Sequence, residues 1–284
     1  MNKILVTGFA GQLGHDIVHE LEKRNIDAFG IDKNELDITD EKAVDDFFIN
    51  NVFSHVIHCA AWTAVDKAEE KENEQLVYDV NVNGTKHIMK NCLKYDMPMM
   101  YFSTDYVFGG EGDKPFKVDD KVNPLGKYAL TKYLGEEEVR KLKKYFIIRI
   151  SWAFGKNGSN FIKTMLNLSK NHKELNVVSD QVGSPTYMKD LAVLASDMIL
   201  TNKYGTYHAT NEGYVSWADF AREIFKLKNI NIKVNDVTTE EYNAKAKRPK
   251  NSRLDKTKLD IEGFNRLPTW QDALDRFLKE LDED

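Results

Sequence analysis

Tyr128 and Lys132 are the two residues of this sequence whose types and spacing point most directly to chemistry. Side chains four residues apart lie on the same face of a helix. A free phenol has a pKa of about 10, and a neighbouring cation lowers that pKa because it favours the phenolate. A general acid works best when its pKa lies near the working pH. The pair can therefore form a proton donor, although a surface lysine on an amphipathic helix produces the same spacing.

A glycine-rich turn near the start of the chain would supply a cofactor for such a donor. Gly8, Gly11 and Gly14 lie between a predicted buried strand at residues 4–6 and a predicted helix at residues 15–24. Glycines in this position allow a tight turn, close approach of the backbone to a pyrophosphate, and close packing of the helix on the strand. The phosphates would then lie at the helix N-terminus. The spacing G-x-x-G-x-x-G departs from the usual G-x-G-x-x-G, and a plain turn remains the alternative.

Apolar segments alternate with segments of helical periodicity in the first half of the chain. This alternation predicts an α/β fold built on a doubly wound parallel sheet, which is Rossmann-like. The predicted strands cover residues 4–6, 28–31, 55–58, 99–102 and 145–150. We expect a dinucleotide-binding domain over residues 1–152, with later returns of the chain to the sheet, and a smaller substrate-binding lobe over residues 153–284. We also expect one long helix from residue 66 to residue 94, and a loop over residues 180–187.

The residues that follow the second predicted strand bear on the choice of cofactor. Asp32 lies about 20 residues past the glycine turn, where a dinucleotide-binding fold places an acid on the ribose hydroxyls. That acid favours NAD, whereas the adjacent Lys33 could pair with a 2′-phosphate and so admit NADP. Asp37 could accept a hydrogen bond from the adenine amino group, with Ile38 against the ring. A solvated strand end is the alternative interpretation of Asp32.

The polar residues that follow the third and fourth strands lie where a doubly wound sheet presents its C-terminal edge to ligands. Thr104 and Asp105 come directly after the fourth strand. His58 and Cys59, at the end of the third strand, are interpreted as core or near-core residues because neither has a partner at the spacing of metal ligands. The sequence therefore predicts a site made of hydroxyl, carboxyl and amine groups, with no protein-bound metal.

Composition excludes several classes of function. The net charge is −5, with 42% hydrophobic and 30% charged residues, so we expect no nucleic-acid partner, which would call for a basic excess. No apolar run reaches the length of a membrane span, and the start of the chain lacks the pattern of a signal peptide. The two cysteines, far apart, give no disulfide framework. We therefore expect a cytoplasmic protein without a membrane partner.

Strings along the whole chain resemble the extended short-chain dehydrogenase/reductase superfamily, and within it the dTDP-4-dehydrorhamnose reductase family. The superfamily features are the glycine turn, Thr104 after the fourth strand, and Tyr128 with Lys132. The strings that indicate the narrower family are Ala64-Val65-Asp66-Lys67-Ala68-Glu69, Ser103-Thr104-Asp105-Tyr106-Val107-Phe108, Ser151-Trp152, Asp180-Gln181-Val182-Gly183-Ser184-Pro185-Thr186 and Asn251-Ser252-Arg253-Leu254. The last two strings lie outside the cofactor half, so they separate this family from more general relatives.

The resemblance implies a role for each candidate residue. Tyr128 would donate a proton to the forming 4-hydroxyl, Lys132 would hold the nicotinamide ribose and keep the pKa of Tyr128 low, and Thr104 would hydrogen-bond the carbonyl oxygen. Asp105 and Trp152 would contact the sugar. The residues that would line the cofactor are Gly8, Ala10, Gly11, Gln12, Leu13, Gly14, Asp32, Lys33, Asp37, Ile38, Ala60, Ala61, Trp62 and Thr63, with Tyr128 and Lys132. The candidates for the nucleotide diphosphate and its surroundings are Arg248, Arg253 and Asn160, with surface charge as the alternative for the two arginines.

The activity implied by the resemblance is reduction of the 4-keto group of dTDP-4-dehydro-L-rhamnose to give dTDP-L-rhamnose, a precursor of cell-surface sugars. NADP(H) would be the preferred cofactor and NAD(H) a possible one, with the involvement of Mg²⁺ left open. Relatives are often homodimers, so a homodimer is possible here. The alternatives are another nucleotide-sugar epimerase or dehydratase of the superfamily, or a non-catalytic regulatory subunit that binds NADP.

Overall fold

A parallel six-stranded sheet forms the centre of the protein, of which the computed structural model describes residues 3–283. The strands in chain order are β1 (Ile4–Thr7), β2 (Ala28–Ile31), β3 (His55–His58), β4 (Met99–Thr104), β5 (Tyr145–Ile150), β6 (Ala153–Phe154), β7 (Glu174–Val178), β8 (Val182–Gly183), β9 (Thr186–Tyr187), β10 (Gly205–His208), β11 (Val215–Ser216), β12 (Lys233–Val237) and β13 (Asn251–Ser252). The central sheet has the order β10-β5-β4-β3-β1-β2 with parallel neighbours throughout. The chain order reverses between β1 and β3, and ligands of such sheets bind at the C-terminal strand ends beside this reversal.

Helices cover both faces of the sheet and build the C-terminal lobe. In chain order they are α1 (Gln12–Lys23), α2 (Glu41–Asn50), α3 (Val65–Ala68), α4 (Glu74–Tyr78), α5 (Thr85–Lys94), α6 (Gly126–Val139), α7 (Phe161–Leu168), α8 (Met188–Ile199), α9 (Trp217–Leu227), α10 (Thr239–Tyr242), α11 (Thr257–Ile261) and α12 (Trp270–Asp282). Ile4 and Val6 of β1 pack into a core shared with α1 and α8, whereas Leu5 packs into the opposite core with α2 and α5. Burial on both faces is what an uninterrupted apolar strand indicates, and the predicted α/β fold is confirmed.

The long helix predicted from residue 66 to residue 94 is wrong in detail. The segment is divided into α3, a 3₁₀ turn at Lys71–Asn73, α4, a π-helical turn at Asp79–Gly84, and α5. The hydroxyl of Thr85 donates a hydrogen bond of 2.8 Å to the carbonyl of Asn81, so a side chain uses an acceptor that the backbone ladder would otherwise take. Turns of the π type are frequent at functional sites, and this one carries Asn81, a buried residue of the site described below.

The C-terminal lobe has a hydrophobic core of its own, formed by α7, α9, α12 and the strands beside them. Residues 188–208 leave the lobe: α8 packs into the core shared with α1, and β10 adds the edge strand beside β5. The stretch 180–187 is not only the predicted loop, because it contains β8 and β9. β8 pairs with β11 and β13, and β9 pairs with β6. Across residues 3–283, no helix has the combined length and apolar character needed to cross a membrane.

Candidate active site

A cleft of about 860 Å³ opens at the C-terminal ends of the strands, where the sheet and the lobe meet. Most residues singled out from the sequence line this cleft. They are Gly8, Gly11, Gln12, Leu13, Gly14, Asp32, Lys33, Asp37, Ile38, Ala60, Ala61, Trp62, Thr63, Thr104, Asp105, Tyr128, Lys132 and Trp152. The sheet topology therefore brings together residues that are separated by as much as 144 positions in the chain, from Gly8 to Trp152.

The glycine turn forms one end of the cleft, between β1 and α1. Gly8 has φ +71°, and a Cβ there would lie 2.7 Å from the amide nitrogen of Ala60. A Cβ at Gly14 would collide with the carbonyl of Gly8. Any other residue would therefore strain the turn or push α1 away from the sheet. The turn leaves the helix N-terminus open toward the cleft, which is the arrangement that binds phosphate groups.

The acidic residue at the end of β2 is tied to this turn. The carboxylate of Asp32 accepts hydrogen bonds from the backbone N–H groups of Ala10, at 2.8 Å, and of Lys33, at 2.7 Å. The ammonium of Lys33 lies 3.6 Å from the carboxylate of Asp37. Hydrogen bonds from Thr39 lower the pKa of Asp37, with Lys33 adding to the effect. This end of the cleft thus carries both an acid and a cation at positions suited to a ribose.

Lys132 reaches the cleft from a largely desolvated position on α6. Only 4% of the residue is exposed, and its Nζ lies 4.0 Å from the centroid of the Tyr101 ring. Within residues 3–283, this ammonium donates no hydrogen bond, so its donors are available to a ligand. Burial lowers the pKa of Lys132 to about 7, because an isolated charge in a low-dielectric site is costly.

Tyr128 lies one helical turn before Lys132 on the same face of α6. Burial raises the pKa of Tyr128, the charge of Asp105 acts in the same direction, and a hydrogen bond with Thr104 opposes them. The predicted lowering of this pKa by Lys132 is wrong, since Lys132 is not among the groups that shift it. The physical reason is that Lys132 is itself desolvated and only partly charged near neutral pH. The phenol is therefore held fully protonated.

Thr104 and Asp105 complete a polar cluster around the phenol. The hydroxyl of Thr104 donates to Asp105 Oδ1 at 3.1 Å and accepts from the N–H of Tyr106 at 3.2 Å. Asp105 is 2% exposed, and its Oδ2 has no partner among the described residues. Burial raises the pKa of Asp105 to about 7, although the neighbouring Ser252 and Thr104 hydroxyls lower it. A buried carboxyl oxygen without a partner is an acceptor that a ligand hydroxyl can satisfy.

Comparison with known proteins places the whole chain in one family. The family model described as "RmlD substrate binding domain" matches residues 1–283. The chain belongs to this family. A dTDP-4-dehydrorhamnose reductase from Aggregatibacter actinomycetemcomitans is 40% identical over 293 residues, which cover 96% of this chain and 97% of that protein. The resemblance inferred from the sequence is thereby confirmed.

Solved structures of this family superpose closely on the chain. A crystal structure of a dTDP-4-dehydrorhamnose reductase from Clostridium acetobutylicum has a TM-score of 0.95 and 43% identity, and covers 99% of both chains. A dTDP-4-dehydrorhamnose reductase from Bacillus anthracis, solved in complex with NADP, has a TM-score of 0.94 and 40% identity. That match covers 99% of this chain and 100% of the other. The close agreement extends over the sheet and the lobe together.

Four of the residues predicted from the sequence do not line the cleft. Ala10 contributes its N–H to Asp32 instead. Asn160 caps α7 by accepting from the N–H of Lys163 at 3.1 Å. Arg248 forms a salt bridge of 2.6 Å with Asp66, and Arg253 donates to Asn251 Oδ1 at 3.0 Å. The polar side chains among these four residues thus have partners within the protein.

The lobe, and the start of α8 beside it, contribute cleft residues that the sequence did not single out. Gly158, Ser159, Met188 and Trp217 line the same cleft as the glycine turn. None of them belongs to a string with a recognisable spacing, and their positions depend on how the lobe packs against the sheet. Tyr106, which the sequence placed only within a family string, also lines the cleft.

His58 is a core residue, and Cys59 is a partly buried neighbour of the core that also lines the cleft, which agrees with the predicted core or near-core position of both. His58 is 1% exposed and lies between the hydroxyls of Thr7, at 2.7 Å, and Thr85, at 3.2 Å. Burial lowers the pKa of His58 to about 3, and it raises the pKa of the Cys59 thiol. A neutral imidazole and a protonated thiol suit a structural role better than a catalytic one.

Asn81 joins the cofactor side of the cleft to the helix that carries Tyr128. Its side-chain oxygen accepts from the N–H of Trp62 at 2.8 Å, and its amide donates to the hydroxyl of Thr131 at 3.1 Å. It also donates to the carbonyl of Trp62 at 3.3 Å. The residue is fully buried. Asn81 therefore fixes the loop after β3 relative to α6.

Replacement of Asn81 by alanine is expected to lower the free energy of unfolding by about 3 kcal/mol, because buried partners are left unsatisfied. Chemical denaturation monitored by circular dichroism measures this loss. Asn83→Ala, in the same π-helical turn, removes only a partly exposed bond of 2.7 Å to Asp79 and should cost less than about 1 kcal/mol. Equal losses of unfolding free energy in the two variants would contradict the inference that Asn81 fixes the loop after β3 relative to α6.

Proposed function

We propose that this chain reduces the 4-keto group of dTDP-4-dehydro-L-rhamnose to give dTDP-L-rhamnose, with NADPH as the preferred reductant. The observation that carries the proposal is the convergence of Thr104, Tyr128 and Lys132 on one cleft that also contains the glycine turn. Relatives named dTDP-4-dehydrorhamnose reductase match nearly the whole chain. We propose that the sheet part, residues 1–152, holds the cofactor and that residues 153–284 mainly hold the sugar nucleotide.

The residues at the glycine end fit a dinucleotide. Gly8 and Gly14 leave a cradle in which a Cβ would collide with backbone atoms, and the N-terminus of α1 points into it. Asp32 and Lys33 would lie at the adenine ribose, and Ala61, Trp62 and Thr63 along the middle of the cofactor. Lys132 would hold the nicotinamide ribose through the donors that it leaves unused. When bound, NADPH supplies the hydride that reduces the carbonyl carbon.

The polar cluster of Thr104, Asp105 and Tyr128 would supply the proton that the reduced carbonyl oxygen takes up. Negative charge develops on the carbonyl oxygen during reduction, and hydroxyl donors placed at that oxygen stabilise it. Tyr128 would transfer its proton to this oxygen, which leaves a phenolate. The raised pKa of Tyr128 keeps the proton in place until a stronger base, the developing alkoxide, is present. Thr104 would orient the same oxygen toward the phenol.

The neighbouring residues would hold the sugar nucleotide. Asp105 Oδ2 would accept a hydrogen bond from a sugar hydroxyl, since this oxygen lacks a partner within the described chain. Trp152 would form a wall of the sugar site. Arg248 and Arg253 are proposed for the diphosphate on the family resemblance alone, since neither lines the cleft and each is paired within the protein. We also propose that the protein works in the cytoplasm, where the thiols of Cys59 and Cys92 remain reduced.

An assay of NADPH oxidation over a panel of keto sugar nucleotides tests the proposed function. We expect stoichiometric loss of the reduced-nicotinamide absorbance with dTDP-4-dehydro-L-rhamnose, and formation of dTDP-L-rhamnose. An epimerase or dehydratase would convert a sugar nucleotide without net oxidation of NADPH. A regulatory subunit would bind NADP without turnover. Either of those outcomes would overturn the proposal.

Lys33 provides a test of cofactor preference. Lys33→Ala is expected to raise the KM for NADPH about fivefold, the effect of losing roughly 1 kcal/mol from an exposed charge pair. The KM for NADH should stay unchanged, because NADH lacks the 2′-phosphate. Lys42→Ala is the matched control, since Lys42 is an exposed lysine paired with Asp46 outside the cleft. An equal rise in KM for NADPH and NADH would show that Lys33 does not bind the 2′-phosphate.

A further inference from the structure

Two stacked indoles join the end of β5 to the start of α9. The rings of Trp152 and Trp217 have centroids 3.6 Å apart and an interplanar angle of 13°. Both side chains line the cleft. Within residues 3–283, neither indole N–H donates a hydrogen bond. The pair therefore forms an aromatic wall on the substrate side of the cleft, with two polar donors that a ligand can use.

The backbone of Trp152 has an uncommon conformation for a bulky residue, with φ +51°. Its position is held from both sides along the chain: its carbonyl accepts from the N–H of Thr186 at 3.1 Å, and the hydroxyl of Ser151 donates to the carbonyl of Ser184 at 2.7 Å. These bonds fix the backbone. They leave the orientation of the indole to the side chains that pack against it.

A small three-stranded sheet places the neighbours of this indole. A Cβ at Gly183 of β8 would lie 3.0 Å from Cε2 of Trp152, so the ring packs directly against the glycine. β11 pairs with β8 and leads directly into Trp217, the first residue of α9. Ser216 caps that helix by accepting from the N–H of Asp219. The same sheet thus supplies the space for Trp152 and presents Trp217 to it.

The lobe core supports the outer indole. Phe161 packs against Trp217 with centroids 4.5 Å apart, and Phe220 lies next to Phe161 at 5.8 Å. This aromatic series runs from the cleft into the hydrophobic core of the lobe. Trp217 therefore couples the orientation of Trp152, at the end of a sheet strand, to the packing of the lobe.

We propose that Trp217 is a substrate-positioning residue, which fixes the indole plane of Trp152 and with it the wall against which the sugar binds. This inference rests on the proposed function. Trp217 should act on the KM of the sugar nucleotide and not on that of NADPH, because it belongs to the lobe, to which the proposed function assigns the sugar nucleotide. Its effect should require Trp152.

Steady-state kinetics of substitutions at Trp217 test the proposal. Trp217→Leu keeps an apolar side chain but removes the aromatic face, and is expected to raise the KM for dTDP-4-dehydro-L-rhamnose roughly 3- to 10-fold, the usual worth of an aromatic pair. The KM for NADPH should change less than about twofold by the same reasoning. Trp217→Phe retains a stacking ring and should restore most of the affinity. An unchanged sugar-nucleotide KM in Trp217→Leu would overturn the proposal.

A double-mutant cycle separates positioning from direct contact. If Trp217 acts through Trp152, then Trp217→Leu should have no further effect in a Trp152→Leu background. Additive effects would show that Trp217 contacts the substrate independently, and would also overturn the proposal. Turnover by the wild-type enzyme in the same assay tests the proposed function by itself, so the two failures are distinguishable.

Circular dichroism provides a readout that does not depend on activity or on the folding of the leucine variant. The two rings lie close enough to perturb each other's electronic transitions, with centroids 3.6 Å apart. The near-ultraviolet spectrum of the wild type should therefore change in shape, and not only in intensity, in Trp217→Phe, which keeps an aromatic ring at that position. A change in intensity alone would contradict the stacked arrangement on which the inference depends.

Discussion

Replacement of Tyr128 by phenylalanine is expected to lower turnover by roughly 10²- to 10⁴-fold, the usual contribution of a positioned general acid. The change removes one oxygen and keeps the ring, so the cleft retains its shape. NADPH binding should survive, because the contacts that we propose for the cofactor are made mainly by the glycine turn and Lys132. Steady-state kinetics and fluorescence titration with NADPH measure the two quantities separately.

Tyr133→Phe is the matched control for this prediction. Tyr133 lies on the same helix but packs against the small cluster around Phe108, outside the cleft. Its replacement should leave turnover within about twofold, the size of an ordinary surface change. Full activity in Tyr128→Phe would show that another group donates the proton, and would contradict the role assigned to Tyr128.

Replacement of Lys132 by methionine is expected to have opposite effects on activity and stability. Turnover should fall roughly 10²- to 10³-fold, since an electrostatic donor at the reacting groups is lost. The free energy of unfolding should rise by a few kcal/mol at pH 6, because a desolvated charge is replaced by an apolar side chain of similar length. Denaturation curves and kinetics on the same protein preparation test both parts.

The stability gain should depend on pH with a defined sign. Burial lowers the pKa of Lys132 from 10.5 in the unfolded chain to about 7 in the folded protein. The unfolded state therefore binds more protons between these values, and wild-type stability rises with pH across that window. The advantage of Lys132→Met should be constant below about pH 7 and should shrink as the pH approaches 10.5.

Lys127→Met is the control for the pH experiment. Lys127 lies on the same helix, but its side chain is 34% exposed and forms a salt bridge of 2.6 Å with Glu74. Its removal should lower stability slightly, by less than about 1 kcal/mol, with no comparable dependence on pH between 7 and 10. A gain for Lys132→Met that does not vary with pH would contradict the desolvation account.

Local patterns in the sequence were sufficient to predict the sheet and the cofactor end of the cleft. β1 and β4 are short segments buried on both faces, whereas the edge strand β2 is only partly buried, and the glycine turn lies between a strand and a helix that both exist. Parallel strands bring their C-terminal ends to one edge, so Thr104 and Asp32 could be placed along the same edge of the sheet without a structure. These inferences need only the periodicity of apolar residues, the order of the strands and helices along the chain, and the residue types in the glycine turn.

Features that depend on long-range packing could not be predicted in this way. Asn81 lies in a π-helical turn created by a side-chain hydrogen bond, within a segment whose pattern reads as continuous helix. Trp217 reaches the cleft through the pairing of two-residue strands that have no periodicity. The pKa of Tyr128 was predicted with the wrong sign, because burial outweighs a cation that is itself buried.

Transfer of deuterium from labelled NADPH is the most direct test of the central claim, that the cleft reduces a sugar carbonyl. The enzyme would be mixed with NADPH that carries deuterium at the transferable position of the nicotinamide ring and with dTDP-4-dehydro-L-rhamnose. The account predicts one deuterium on carbon 4 of the rhamnosyl product, seen by mass spectrometry and NMR, with one NADPH oxidised for each product. A converted sugar that carries no deuterium, or no conversion by a folded enzyme that binds NADPH, would contradict it.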